Sequence, residues 1–247
     1  MSRISHTNIE WVGNPDGSRG YVWNPVWGCR NGCEYCYARK IAQRFAMTMA
    51  LNSKHTLCSA QRLAERYYNF EPTWIEENFQ KDFPKKPSMI FIDSMSDICW
   101  WRPNWLNYVL IKMNQHPEHI YIALTKRPDL TKILLNDLHQ TTPVKFWIGV
   151  SASTQIDIEI KIPQLLEIQA AKHFISIEPI QGAITLEKYL QNLDWIIVGQ
   201  ETGNSKTKIK AKKEWIDNLR AECFFNEIFE KNNLLPIMKN LIQEWLE

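Results

Sequence analysis

Residues 120–124 are Ile-Tyr-Ile-Ala-Leu, a short run of the kind that forms a strand buried on both faces of a sheet. Similar apolar or β-branched runs recur along the chain and predict further strands. They are Tyr21–Trp23, Met89–Ile92, Phe146–Val150, His173–Ile177 and Trp195–Val198, with a weaker run at Leu235–Met238.

Helical patterns separate these runs. After the first strand, apolar residues at helical spacing predict one buried helix face, made of Ala38, Ile41, Ala42, Phe45, Ala46 and Met49. Pro128 begins a second helix, and residues 215–223 and 241–246 are expected to form two more, the last one docked at the C-terminus. Between residues 156 and 162 isoleucines alternate with charged residues, which favours a strand, so we expect that helix to begin only near Pro163.

This alternation predicts the fold class. Repeated βαβ units of about 30 residues build a parallel sheet, so we expect an α/β fold, a complete or partial parallel (β/α) barrel of six to seven strands. Residues 1–247 are predicted to form a single domain. The polar segment from about residue 51 to 87 interrupts the alternation and is predicted to be an insertion that covers the barrel mouth or one flank.

Composition excludes several protein classes. The 247 residues are 45% hydrophobic and carry a net charge of +2, which argues against a dedicated polyanion binder. There is no run of about 18 apolar residues, so no membrane span is expected. The polar N-terminus lacks a signal core, so we expect a cytoplasmic protein with reduced or metal-bound cysteines.

Three of the six cysteines lie within eight residues, in Cys29-Arg-Asn-Gly-Cys33-Glu-Tyr-Cys36. Three thiolates in one loop can converge on a soft metal centre. A structural zinc site needs a fourth protein ligand, for which only His6 and His55 are candidates, without supporting spacing. A four-iron cluster with one open iron needs only the three cysteines. The scattered cysteines, Cys58, Cys99 and Cys223, are expected to be buried apolar side chains.

The C-x3-C-x2-C loop resembles the signature of the radical S-adenosylmethionine superfamily. The resemblance implies that Cys29, Cys33 and Cys36 hold a [4Fe-4S] cluster whose open iron binds S-adenosylmethionine, and that the backbone at Tyr35 meets the adenine. It also implies reductive cleavage of S-adenosylmethionine to a 5′-deoxyadenosyl radical, which abstracts hydrogen from a substrate. A flavodoxin or ferredoxin would be the electron donor.

A closer resemblance covers nearly the whole chain. Seven segments in order are similar to the phage- and prophage-associated radical SAM-like family of unknown function. They are Trp23-Asn-Pro-Val-Trp-Gly-Cys29, Cys36-Tyr-Ala-Arg39, Asp93-Ser-Met-Ser-Asp97, Leu124-Thr-Lys-Arg-Pro128, Ile148-Gly-Val-Ser151, Ser176-Ile-Glu-Pro179 and Val198-Gly-Gln-Glu-Thr-Gly203.

Polar residues follow the predicted strands, where a barrel displays its ligands. The predicted contacts to S-adenosylmethionine are Ser94, Ser96, Asp97, Lys126, Ser151, Glu178 and Glu201. Structural alternatives stay open: the residues of 94–97 are also suited to cap a helix, and either glutamate could pair with Lys126 or Arg127.

A more distant resemblance is to spore-photoproduct-lyase-like DNA repair enzymes, which share Ser96-Asp97 and Thr125-Lys126. Ser94 stands where that family has a radical-quenching cysteine. The phage-type resemblance makes a nucleotide or nucleic acid the expected substrate class. Two further alternatives are a zinc-bound nucleic-acid-binding module without catalysis, and a barrel that binds both cofactors but only transfers electrons or regulates.

Overall fold

The computed structural model describes residues 2–14, 16–34, 36–52, 57–138, 141–202 and 208–246. Its strands are β1 (Ser5–His6), β2 (Tyr21–Val22), β3 (Val26–Trp27), β4 (Thr73–Trp74), β5 (Met89–Phe91), β6 (Ile120–Thr125), β7 (Phe146–Ser151), β8 (Lys172–Ile177), β9 (Trp195–Val198) and β10 (Glu227–Glu230). Its α-helices are α1 (Tyr37–Asn52), α2 (Leu57–Tyr68), α3 (Glu76–Phe79), α4 (Pro103–Asn114), α5 (Pro128–Asn136), α6 (Gln155–Leu165) and α7 (Lys213–Glu222).

Most of the strands form one sheet. In the described chain its order is β1-β2-β5-β6-β7-β8-β9-β10, and all neighbours are parallel except β1 and β2. The parallel strands follow one another in chain order with helices in most of the connections, as repeated βαβ units require. The predicted α/β class is confirmed, and the mostly parallel sheet is consistent with a partial β/α barrel.

Alternate side chains of β2 and of β5 to β10 enter two separate apolar cores. In β9, Ile196 packs on the helix side of the sheet, whereas Trp195 packs on the opposite side with Trp11 and Phe174. Gly149 in β7 leaves room for this second core, because a Cβ there would lie 2.4 Å from the Phe174 ring. Both faces are therefore buried, which explains why the strands are nearly continuous apolar runs.

The seventh predicted strand is wrong in position. The strand is Glu227–Glu230, whereas the segment predicted as a strand, Leu235–Met238, follows a short 3-10 helix. Glu230 is fully buried and accepts hydrogen bonds of 2.6 and 2.5 Å from Arg220. The strand was missed because it begins and ends with glutamate and so does not read as an apolar run. The charge of Glu230 is tolerated in the core because Arg220, on another segment, pairs with it.

The predicted C-terminal helix is also wrong. Residues 241–246 run extended beside β10, where the Glu230 amide donates to Ile242 and the Glu244 amide donates to Ile228. This antiparallel contact supplies partners to an edge strand whose backbone would otherwise lack them.

Helix α6 begins earlier than predicted. Thr154 and Asp157 form a reciprocal capping box, and the helix runs through the alternating isoleucines with Pro163 inside it. Ile158 and Ile162 are buried, while Ile156 and Ile160 are exposed. The alternation of isoleucines with charged residues, which suggested a strand, arises because isoleucines lie on both the buried and the exposed face of this helix.

Helix α1 buries a narrower face than predicted. Its alanines at positions 38, 42, 46 and 50 are buried, but Ile41 and Phe45 are exposed. Helix α2 packs on this alanine stripe through Ala60 and Ala64. Small residues let the two helices approach closely, which leaves the larger side chains outside the contact.

The segment predicted to be an insertion contains α2, β4 and α3, and β4 pairs antiparallel with β3. Its role as an insertion, and the assignment of one domain, stay predictions. In the described residues, no helix combines the length and the apolar character needed to cross a membrane.

The two faces of α6 can be tested by mutation. Ile158→Ala should lower the free energy of unfolding by about 2–5 kcal/mol, because it leaves a cavity in the core. Ile156→Ala, at a side chain that is 69% exposed, should change it by less than about 0.5 kcal/mol. Urea denaturation measures both values, and equal losses would contradict the assignment of the two faces.

Candidate functional site

A cavity of about 720 Å³ opens at the carboxyl edge of the sheet. Ten of the predicted site residues line it: Cys29, Cys33, Cys36, Ser94, Ser96, Asp97, Lys126, Ser151, Glu178 and Glu201. The eleventh, Tyr35, lies outside the described residues. The fold thus brings residues from five strand ends to one cavity, while their individual roles stay predictions.

The backbone around the first cysteine is closely constrained. Gly28 has a φ of +102°, and a Cβ there would lie 2.2 Å from the Glu71 carbonyl oxygen. The Gly28 amide donates to Met95 at 3.0 Å, and the Cys29 amide donates to Phe70 at 2.9 Å. Only glycine fits this position, so the start of the three-cysteine loop is tied to two other segments.

Backbone amides point at two of the sulfurs. The Asn31 amide lies 3.4 Å from Cys29 Sγ, and the Arg39 amide in the first turn of α1 lies 3.4 Å from Cys36 Sγ. The hydrogen bond from Asn31 favours the thiolate form of Cys29 that a metal ion needs. All three thiols are partly exposed and free.

Burial and the nearby Asp97 carboxylate raise the pKa of the Cys29 thiol to about 12. Crowding with Cys33 and Cys36 acts in the same direction. A cation between the sulfurs would offset this cost, because metal ligation favours deprotonated cysteine. The donor set therefore fits a thiophilic metal centre.

Asp97 joins the cysteine loop to the sheet. One carboxylate oxygen accepts hydrogen bonds from Thr125 Oγ1 at 2.7 Å and the Cys99 amide at 3.3 Å. The other accepts from Asn31 Nδ2 at 2.6 Å and the Lys126 amide at 2.9 Å. Asp97 is buried and also caps the short helix Ile98–Trp100, so the capping alternative holds for this residue.

The neighbouring serines bond to protein groups. The Ser94 hydroxyl contacts the Asn24 side chain at 2.9 Å, and the Ser94 carbonyl accepts from the Tyr37 hydroxyl at 2.7 Å. The Ser96 hydroxyl accepts from Trp101 Nε1 at 3.0 Å.

Burial and the charge of Asp97 raise the pKa of Asp93 well above its usual range, which favours its neutral form.

The remaining predicted residues lie across the cavity. Lys126 Nζ donates to Ser151 Oγ at 2.7 Å. Glu178 forms an ion pair with Lys231, so its partner is neither of the two residues, Lys126 and Arg127, that the structural alternative had left open. Arg127 instead pairs with Asp129 on the surface. Glu201 lines the cavity beside Gln200. The backbone N–H of Gln200 donates a hydrogen bond to Asn233 Oδ1 at 3.2 Å.

Several cavity residues were missed from the sequence, and three of them bond to predicted site residues. Lys231 follows β10, and it was overlooked because that strand was misplaced. Asn31 lies inside the cysteine motif, where it accepts from Trp100 Nε1 at 2.8 Å as well as donating to Asp97. Asn24 had no local signal, since its partner Ser94 lies 70 residues further along the chain.

The scattered cysteines that the structure describes and the tryptophans near Cys99 lie in or against the core. Cys99 and Cys223 are buried, as predicted, and Cys58's side chain lies outside the described part of the chain. Trp101 and Trp105 are buried in the core, whereas Trp100 is only partly buried against the cysteine loop.

A second set of possible ligands lies away from the cavity, in the connection before β6. Among described residues, the donor atoms of His116, Glu118 and His119 all lie within 4.8 Å of one another. His119 Nδ1 accepts from the Ser88 amide at 3.2 Å, so the neutral ring carries its proton on Nε2. That nitrogen lies 3.4 Å from a Glu118 carboxylate oxygen without forming a hydrogen bond, and its proton keeps it from binding a metal ion.

The fold and cavity define an α/β protein with a three-thiol loop at the carboxyl edge of a parallel sheet. The family model described as "Protein of unknown function (DUF5131)" matches residues 6–229, and the chain belongs to this family. This confirms the predicted resemblance to a phage-associated, radical SAM-like family of unknown function. No curated protein and no solved structure matches the chain.

Replacing Asp97 tests its role as the link between loop and sheet. Asp97→Asn places an NH2 group against two buried donors and should lower the free energy of unfolding by about 3 kcal/mol. The control Asp129→Asn, at an exposed ion pair, should cost less than about 1 kcal/mol. Urea denaturation measures both; similar losses would show that the buried carboxylate is not a special support.

Proposed function

We propose that this protein is a radical S-adenosylmethionine enzyme. Cys29, Cys33 and Cys36 would hold a [4Fe-4S] cluster, and the cavity beside them would hold S-adenosylmethionine. When bound and reduced, the cluster supplies the electron that cleaves S-adenosylmethionine, and the resulting 5′-deoxyadenosyl radical abstracts hydrogen from the substrate. The observation that carries the proposal is the opening of three thiols from one loop onto the same cavity as seven other predicted site residues.

The number of thiols at the cavity supports a cluster over zinc. A structural zinc site takes four protein ligands, whereas the cysteines among the described lining residues are Cys29, Cys33 and Cys36. A four-iron cluster with one open iron would need only these three thiolates.

The polar groups of the cavity suit an amino-acid nucleoside. Lys126 and the Ser151 hydroxyl, which bond to each other, can also bind a carboxylate or ribose oxygens. Glu201 can attract the ammonium and sulfonium charges, with Glu178 contributing from within its ion pair with Lys231. Ser94, Ser96 and Asp97 would act mainly by shaping the wall, because protein groups already occupy their polar atoms. The apolar floor formed by Trp11 and Phe91 excludes water from the reacting end.

The volume fits the proposed nucleoside ligand. Single-ligand sites in proteins are about 300–1,000 Å³, and the cavity of about 720 Å³ lies within this range. A nucleotide or an extruded base of a nucleic acid is the substrate class that we propose. Repair of the spore-photoproduct type is disfavoured, since Cys99 is buried and is not among the residues that line the cavity.

Product analysis tests the proposed chemistry. The anaerobically reconstituted protein, reduced with dithionite in the presence of S-adenosylmethionine, should release 5′-deoxyadenosine. Cys33→Ala removes one iron ligand and should abolish both the visible absorbance of the cluster and this product. Cys223→Ala, at a buried cysteine outside the cavity, is the control and should retain both. Release by Cys33→Ala at the wild-type rate would refute the proposal, as would one bound zinc ion and no iron in the wild type.

A second measurement tests the nucleoside site. Lys126→Met should weaken S-adenosylmethionine binding about tenfold in equilibrium dialysis, because the cavity loses a cation that reaches Ser151. Lys132→Met, on the exposed face of α5, should leave the affinity unchanged. Equal affinities of the two variants would place the nucleoside elsewhere.

A further inference from the structure

The outer face of α1 carries exposed apolar side chains next to the cavity. Ile41 and Phe45 are 37% and 43% exposed, although they are one turn apart and apolar. Lys40 and Arg44 flank them, and the Arg44 guanidinium lies 5.3 Å from the centre of the Phe45 ring. We call these four residues the α1 patch.

All of the charged side chains of α1 are positive. The helix contains Arg39, Lys40 and Arg44, and it has no aspartate or glutamate along its 16 residues. Exposed apolar side chains with a charged rim are typical of protein-binding surfaces. A basic rim selects an acidic partner.

The patch lies close to the thiols. Helix α1 begins at Tyr37, and the Arg39 amide in its first turn contacts Cys36 Sγ. At about 1.5 Å per residue, Ile41 and Phe45 follow Cys36 by about 8 Å and about 14 Å along the helix axis. Electron transfer slows steeply with distance, so an electron donor must dock near the metal centre.

We propose that the α1 patch is the docking site of an acidic one-electron carrier protein. This inference rests on the proposed function, since the carrier would deliver the electron that the cluster needs. The exposed aliphatic Ile41 favours a protein over a nucleic acid, because single-stranded nucleic acids bind through aromatic stacking and phosphate contacts. The partner's acidic rim would face Lys40 and Arg44 while its apolar centre covers Ile41 and Phe45.

Two double variants test the patch, Lys40→Glu/Arg44→Glu and Ile41→Ser/Phe45→Ser. In each, reduced flavodoxin should reduce the reconstituted cluster about tenfold more slowly than in the wild type. Reduction by dithionite should be unchanged. The control Ile156→Ser/Ile160→Ser removes an exposed pair on α6, beside acidic Asp157 and Glu159, and should behave as the wild type with both reductants.

A binding measurement separates docking from the cluster. Oxidised flavodoxin titrated into the metal-free protein at low salt should bind the wild type and the α6 variant equally, and both α1 variants about tenfold more weakly. Circular dichroism checks that the exposed substitutions leave the fold intact.

Each other outcome overturns the inference. If flavodoxin binds the α1 variants with wild-type affinity and reduces them at the wild-type rate, the docking inference is wrong. The proposed radical chemistry is not affected by that result. If the charge-reversed variant loses a single-stranded oligonucleotide but keeps flavodoxin, the patch binds nucleic acid instead. If dithionite finds no reducible cluster in the wild type, the proposed function fails, and the docking inference fails with it.

Discussion

The carboxylate of Asp97 is the interaction on which the site depends most. It accepts hydrogen bonds from the cysteine loop through Asn31, from the end of β6 through Thr125 and the Lys126 amide, and from the short helix through Cys99. These donors lose their partners together if the carboxylate is lost, and buried unpaired donors are costly. The stability of the fold and the position of the thiols are therefore coupled through one side chain.

The order of the sheet explains why a single cavity collects the polar residues. Parallel strands in chain order bring their carboxyl ends to the same edge, so residues that follow different strands meet there. Below them, aromatic side chains such as Trp11 and Trp195 fill the inner face of the sheet. The polar groups therefore gather beside a packed apolar layer, where electrostatic interactions are stronger than in bulk water.

Prediction from the sequence succeeded where burial leaves a simple pattern. Apolar runs located most of the parallel strands, because both faces of those strands are buried. It failed where a distant partner changes what a residue can do. Arg220 makes buried Glu230 tolerable in β10, and the closely packed α2 leaves Ile41 of α1 exposed. The misplacement of β10 also hid Lys231, which pairs with Glu178 at the cavity.

The sequence by itself determined the alternation of strands and helices, the three-cysteine loop and the polar residues that follow the strands. Those features are local, since they depend on burial, spacing and residue chemistry within short segments. The tertiary structure alone decided which polar atoms are already occupied, that Glu178 faces Lys231, and that the outer face of α1 stays exposed. These outcomes depend on contacts between segments that are distant in the chain, which a local pattern does not encode.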